Sequence, residues 1–106
     1  MSFRFMRTIV FFDLPVETLT DRKEYRRFRK FLLTSGFVMM QESVYCKLLL
    51  NSTAVYALTD NIKKNKPAKG LVQVLTVTEK QFARMEFVTG EYTSEVIDST
   101  ERSIIL

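Results

Sequence analysis

The fold is decided by the segment Met-Arg-Thr-Ile-Val-Phe-Phe-Asp-Leu-Pro, residues 6–15. Its β-branched and aromatic residues favour a strand covered on both faces, and Pro15 has no N–H to give to a ladder, so pairing should stop there. The segment therefore predicts a central strand that ends at the carboxylate of Asp13. Side chains alternate along a strand, so one face should carry Arg7, Ile9, Phe11 and Asp13. A simpler interpretation, that Asp13 only caps the turn, stays open.

Length and charge bound the kind of protein. A chain of 106 residues should form one domain with a single two-layer core. It carries 16 lysines and arginines against 12 acidic residues, a formal net charge of +4, which mildly favours polyanionic partners. Apolar runs fall short of the roughly 20 residues of a membrane-spanning helix, and no leader pattern opens the chain, so we expect a cytoplasmic protein.

The residue types exclude several chemistries. The single cysteine rules out an intramolecular disulfide, and the absence of histidine rules out an imidazole base or a His-ligated zinc site. Any metal should be a hard cation held by oxygen atoms. Cys46 lies among aliphatic residues of a predicted strand, and we interpret it as a small buried hydrophobe rather than a nucleophile.

Residues 21–35 predict a first helix, with Thr18 or Thr20 as its N-cap and Gly36 at its end. At 100° per residue, one arc collects Asp21, Tyr25, Phe28, Phe31 and Leu32, which should face the core. The opposite arc is strongly basic and consists of Arg22, Lys23, Arg26, Arg27 and Lys30. Solvated helix faces usually mix charges of both signs, so this arc favours nucleic-acid contact over a merely solvated face.

The remaining elements complete a two-layer pattern. Strands are predicted at residues 37–40, 43–50 and 71–78, and a second helix follows Asn51 or Ser52. The lysines that end this helix, from Lys63 onward, either complement its dipole or bind phosphate. The order β-α-β-β-α-β predicts a ferredoxin-like α+β sandwich. A helical turn at residues 79–84 and a short additional strand at residues 85–88 should follow.

Two surfaces should need a partner. Helices on one face of the sheet leave the face with Ile9 and Phe11 open, which favours a homodimer formed through the sheet. We place the domain at residues 1–90 and a docking tail at residues 91–106. The tail ends in Ile104, Ile105 and Leu106, which should bind a partner protein or the other protomer by strand addition, or else fold back on their own domain.

Several segments together resemble the CRISPR-associated protein two (Cas2) family. These are Phe-Phe-Asp-Leu-Pro (11–15), Tyr-Arg-Arg-Phe-Arg-Lys-Phe-Leu (25–32), Ser-Val-Tyr (43–45) and Leu-Thr-Val-Thr-Glu-Lys-Gln-Phe-Ala-Arg-Met (75–85). Their order and spacing cover most of residues 1–90. The Asp-Leu-Pro and Thr-Glu-Lys-Gln-Phe elements are similar to the type II-A branch.

This resemblance implies a homodimer that bridges two dimers of the integrase CRISPR-associated protein one (Cas1) and holds duplex DNA during its insertion into the CRISPR array. In some members, the aspartate that ends the first strand binds Mg²⁺ with its mate across the dimer axis and supports nuclease activity on RNA or double-stranded DNA. The matching residue is Asp13, implied as both metal ligand and catalytic residue.

Three functions follow as hypotheses. The first is a DNA-bridging adaptor, and the second is a Mg²⁺-dependent endonuclease that uses Asp13. The third is an RNA-binding module of the RRM kind, but Ser-Val-Tyr-Cys-Lys at residues 43–47 lacks the glycines of that motif. We prefer the adaptor.

Overall fold

The computed structural model describes residues 5–91. The predicted tail at residues 91–106 lies outside the described residues except for its first residue, and so do its predicted docking residues Ile104, Ile105 and Leu106. The elements follow the predicted βαββαβ order, with one further helical turn. They are β1 (Met6–Asp13), α1 (Leu19–Thr34), β2 (Val38–Gln41), β3 (Val44–Leu49), α2 (Ser52–Lys64), β4 (Leu71–Thr78) and α3 (Glu79–Phe82). Within the described part of the chain, no helix is long and apolar enough to span a bilayer.

The sheet confirms β1 as a central strand. Its order is β2-β3-β1-β4, and every pairing is antiparallel. All eight residues of β1 pair with β4, from Met6 opposite Thr78 to Asp13 opposite Leu71. Residues 7–10 are buried without a break, because neighbouring strands cover both edges and other elements cover both faces.

One side of the sheet is covered by α1 and α2. The core on this side contains Val10 and Phe12 of β1 and Leu14, which directly follows it. They pack against four residues of the two helices: Phe28, Leu32, Leu58 and Ile62. The ring of Phe12 meets Phe28 edge-on, with centroids 5.4 Å apart, and stacks on Tyr45 of β3 at 5.6 Å. Aromatic pairs of this geometry contribute stability beyond that from buried apolar area. Phe12, which makes both contacts, is therefore the centre of the core.

The opposite side, here called the open face, is partly covered by α3. Arg7 is fully buried beneath this turn and donates from Nε and from a terminal nitrogen to Glu79, at 2.9 and 2.6 Å. Its guanidinium lies 4.4 Å from the ring centroid of Phe82. Burial alone would lower the pKa of Arg7, but the hydrogen bonds to Glu79 outweigh it and raise that pKa. No local pattern in the sequence indicates this pair, because its two residues lie 72 positions apart.

The predicted strand at residues 85–88 is wrong for the single chain. The amides of Arg84 and Met85 donate to the carbonyls of Gln81 and Phe82 and close the turn that follows α3, and residues 85–88 pair with no strand of the described chain. Val88 is 95% exposed. The alternation of apolar residues suggested a strand, but a strand needs a second backbone to pair with.

Other differences are at element boundaries. The first helix begins at Leu19, two residues before its predicted start, because Thr18 is the N-cap and accepts from the Asp21 amide. The hairpin between β2 and β3 is irregular, with a register shift between Met39 and Gln41. Asn51 caps α2 through a bond from the Ala54 amide, which confirms one of the two predicted caps.

We expect Glu79→Ala to destabilise the fold by about 2–3 kcal/mol, because it leaves the buried guanidinium of Arg7 without its carboxylate. Urea unfolding followed by circular dichroism measures this change. Lys80→Ala is the matched control on the same turn, since Lys80 is exposed and should change stability by less than about 0.5 kcal/mol. Equal destabilisation in the two variants would contradict a special role for the Arg7–Glu79 pair.

Candidate nucleic-acid interface

The helix α1 presents the predicted basic arc to solvent. Its N-terminus is held by a capping box in which Thr18 and Asp21 each accept a bond from the other's backbone amide. Phe28 and Leu32 are buried, so the helix is fixed in rotation against the sheet. The residues opposite are all exposed: Arg22, Lys23, Arg26, Arg27 and Lys30.

Contacts within the chain divide these five residues into two groups. Arg22 donates to the carbonyls of Val16 and Glu17, and Arg27 donates to both carboxylate oxygens of Glu24. Lys23, Arg26 and Lys30 have no hydrogen bond or ion pair with any other residue in the range 5–91. Three cations of the arc are therefore unengaged in the described part of the chain.

Arg27 also connects α1 to the loop after α2. One of its terminal nitrogens lies 3.2 Å from the carbonyl of Asn65 and 3.4 Å from that of Lys66. The hydrogen bond from Arg27 lowers the pKa of Glu24. The structure thus uses Arg27 to fix a lysine-bearing loop beside the helix.

A second attachment of this loop involves Asp21. Lys69 Nζ lies 3.2 Å from a carboxylate oxygen of Asp21, which is 6% exposed. Burial would raise the pKa of Asp21, but the hydrogen bond from the Thr18 amide and the ammonium of Lys69 outweigh it and lower that pKa below its ordinary value. The sequence assigned Asp21 to the core-facing arc, and its burial is made tolerable by these partners.

Asp13 lies at the end of β1 on the open face, and its side chain is exposed. It shares this face with Ile9 and Phe11, as the alternation predicted. The carboxylate has no ion-pair or hydrogen-bond partner within residues 5–91. In the same range, no three histidine, cysteine or acidic residues come together as a metal-binding group. One chain therefore brings a single carboxylate to this point.

The backbone beside Asp13 is crowded by Gly70. Gly70 has a φ of +92°, and a Cβ atom there would lie 2.7 Å from Leu14 Cδ2 and 2.8 Å from the Asp13 carbonyl oxygen. Only glycine adopts this conformation without strain and leaves room for the neighbouring strand. Gly70 consequently brings β4 against the end of β1.

Two further side chains complete the surroundings. Cys46 is buried, which confirms the interpretation of a small buried side chain, and burial raises the pKa of its thiol. Arg29, which is not among the five residues of the predicted basic arc, is exposed on α1 and donates to the hydroxyl of Tyr45 at 2.8 Å. The spacing of Arg22, Arg26 and Arg29 was the signal for it, since residues at i, i+4 and i+7 share one side of a helix.

The architecture defines the class first: a small ferredoxin-like α+β protein with a cationic helix and one carboxylate at the end of its central strand. Residues 6–85 match the family model described as CRISPR associated protein Cas2. The chain belongs to the Cas2 family.

Sequence relatives support the same assignment. A CRISPR-associated endoribonuclease Cas2 from Treponema denticola is 54% identical over 101 residues, covering 95% of this chain and all of that protein. A protein of the same name from Streptococcus mutans is 52% identical over 101 residues, covering 95% of this chain and 93% of the relative.

A solved structure supports the fold. A crystal structure of a Cas2 protein superposes with a TM-score of 0.58, covers 85% of this chain and 92% of its own, and is 24% identical in sequence. At that identity, the likeness concerns the fold.

We expect Gly70→Ala to destabilise the protein more than Gly90→Ala does. Both glycines have a φ near +90°, but no described atom lies within 4 Å of a Cβ at Gly90, so that variant carries only the backbone strain. Strain of this kind costs about 1 kcal/mol, and crowding at Gly70 should add at least as much again. Thermal or urea unfolding of the two variants measures the difference. Equal destabilisation would show that crowding against Leu14 and the Asp13 carbonyl adds no loss of stability at Gly70.

Proposed function

We propose that this chain acts in CRISPR adaptation as a homodimeric adaptor that bridges Cas1 integrase dimers and holds duplex DNA during spacer acquisition and integration. The observation that carries the proposal is the basic arc of α1, of which Lys23, Arg26 and Lys30 have no partner within residues 5–91. Cations in this state can replace the counterions of a phosphate backbone. Membership of the Cas2 family supports the partner and the pathway.

The expected DNA binding is independent of sequence. Lysine and arginine side chains on the exposed side of a helix can bind phosphates. Such contacts position the protein on the duplex but carry no information about its base sequence. The loop that Arg27 and Asp21 attach to α1 bears Lys66 and Lys69, so it adds positive charge beside the arc. We also assign the chain to the type II-A branch, which the Treponema and Streptococcus relatives support.

We propose that the dimer forms through the open face of the sheet. The turn α3 covers only the part of this face near Arg7 and Ile9. On the same face of β4, Leu71 lies opposite Asp13 and Leu75 lies opposite Ile9, and they are 54% and 50% exposed. A second copy would remove this apolar surface from water, and it would bring two Asp13 carboxylates toward one another.

A second candidate function is a Mg²⁺-dependent endonuclease. The position of Asp13, exposed and unpaired in the described range, favours it, and the Treponema and Streptococcus relatives are named endoribonucleases. Carboxylate oxygens are the donors that Mg²⁺ prefers, so Asp13 from two protomers fits the ion, with water completing its shell. When bound, the ion would lower the pKa of a water molecule that attacks a phosphodiester.

For the adaptor, we expect Arg26→Gln with Lys30→Gln to weaken binding to duplex DNA of any sequence. The slope of log affinity against log salt should fall by about 0.9 for each phosphate that the double variant no longer binds. Glutamine keeps a high helix propensity, so the fold should be unchanged. Fluorescence anisotropy over a salt series measures the slope with two unrelated duplexes.

The charge-matched control is Lys80→Gln with Arg84→Gln, whose residues lie in or just after α3 on the opposite side of the sheet. This control lowers the net charge equally and should leave the slope nearly unchanged. An equal decrease in both double variants would mean that overall charge, rather than the α1 arc, governs binding.

For Asp13, we expect Asp13→Asn to leave the fold intact, because an exposed carboxylate without a partner contributes little to it. If the protein cleaves nucleic acid, the substitution should abolish Mg²⁺-dependent cleavage of RNA and duplex DNA. Integration supported by Cas1 should persist, since bridging requires no cleavage. Cleavage and integration are scored separately in the same reconstituted mixture.

Sedimentation of the same preparations measures the oligomeric state, which checks whether two protomers can share a metal site at Asp13. A folded wild-type monomer at micromolar concentration would exclude a metal site built from two protomers. If the Asp13→Asn variant still cleaves nucleic acid, or if it unfolds, Asp13 has no metal-binding role and only caps the turn.

A further inference from the structure

Tyr45 and Arg29 form a contact between the core and the exposed side of α1. The ring of Tyr45 is 1% exposed and stacks on Phe12. Its hydroxyl accepts a bond of 2.8 Å from Arg29 Nε. A buried phenol needs a partner for its polar end, and here an exposed arginine supplies it.

The contact leaves most of the guanidinium available. Arginine has five N–H donors in a planar fork, and Nε carries one of them. The two terminal nitrogens can therefore still donate two parallel bonds to one phosphate. Because Tyr45 already restricts the side chain, less conformational freedom is given up when a ligand binds.

Arg29 continues a row along α1. Arg22, Arg26 and Arg29 share one side of the helix, and seven residues at 1.5 Å rise extend about 10 Å. One DNA strand places a phosphate about every 3.4 Å along the duplex axis, so the row extends over about three nucleotides. Arg22 at the other end is also held in place, by the Val16 and Glu17 carbonyls.

We propose that Arg22, Arg26 and Arg29 form a row that binds the sugar-phosphate backbone of one duplex strand, and that Tyr45 positions Arg29 for it. This inference rests on the proposed DNA binding and specifies where the backbone lies. It sets Arg29 apart from Arg27, whose guanidinium is engaged by Glu24 and two loop carbonyls. Arg29 is a binding residue, and Tyr45 is a positioning residue.

The test compares Arg29→Gln, Tyr45→Phe and the double variant in duplex binding over a salt series. Arg29→Gln should lower the salt slope by about 0.9, the value expected when one phosphate is no longer bound. Tyr45→Phe keeps every charge, so the slope should not change, while affinity falls about 2- to 10-fold as Arg29 becomes unrestrained. In the double variant, Tyr45→Phe should weaken binding no further, because its effect passes through Arg29.

Circular dichroism and urea unfolding confirm that each variant is folded, and Arg84→Gln is the single-charge control. An unchanged slope in Arg29→Gln, with a lowered slope in the Arg26 and Lys30 double variant, overturns the row but leaves the proposed function standing. Additive effects of Arg29→Gln and Tyr45→Phe on affinity overturn the positioning role. Absence of salt-dependent duplex binding by the wild-type chain overturns the proposed function itself.

Discussion

The whole structure depends on the middle of β1, residues 7–10, being covered on every side. Its neighbours β3 and β4 take its backbone bonds, and residues 7–10 are buried. The two faces of β1 pack against different elements. The side of Val10 and Phe12 joins the two helices into the main core, whereas the side of Arg7 and Ile9 is covered by α3. The strand can end in an exposed carboxylate because its earlier residues hold it in place.

Internal ion pairs decide which positive charges can meet a ligand. Arg7 is engaged by Glu79, Arg27 by Glu24 and loop carbonyls, and Lys69 by Asp21. The pair of Arg27 and Glu24, which is exposed on both sides, adds little stability, but it orients the two groups that take part. The location of the positive charges is therefore more informative about a partner than the net charge of +4. Three cations that are unengaged within residues 5–91 lie together on one helix.

Much of the fold could be predicted from the sequence because its causes are local. The bounds of β4 were correct to the residue, since Gly70 and the capping Thr78 limit an apolar segment. Thr18 and Asn51 are side chains that cap helices by bonding amides three residues away. The extra strand at residues 85–88 was wrong because alternation specifies a face and supplies no pairing partner. On α1, periodicity predicted five cations on the solvent side, and all five are exposed, but it left out Arg29, which is exposed as well.

The sequence by itself determined the order of elements, the two faces of β1 and the basic side of α1, because each depends on residues a few positions apart. The tertiary structure decided which charges pair. Arg7 meets Glu79 across 72 positions, and Arg29 meets Tyr45 across 16. Such contacts depend on strand register and helix rotation together, and a one-residue shift in a strand would turn Arg7 or Tyr45 to the opposite face. Periodicity within single segments carries no information about that alignment.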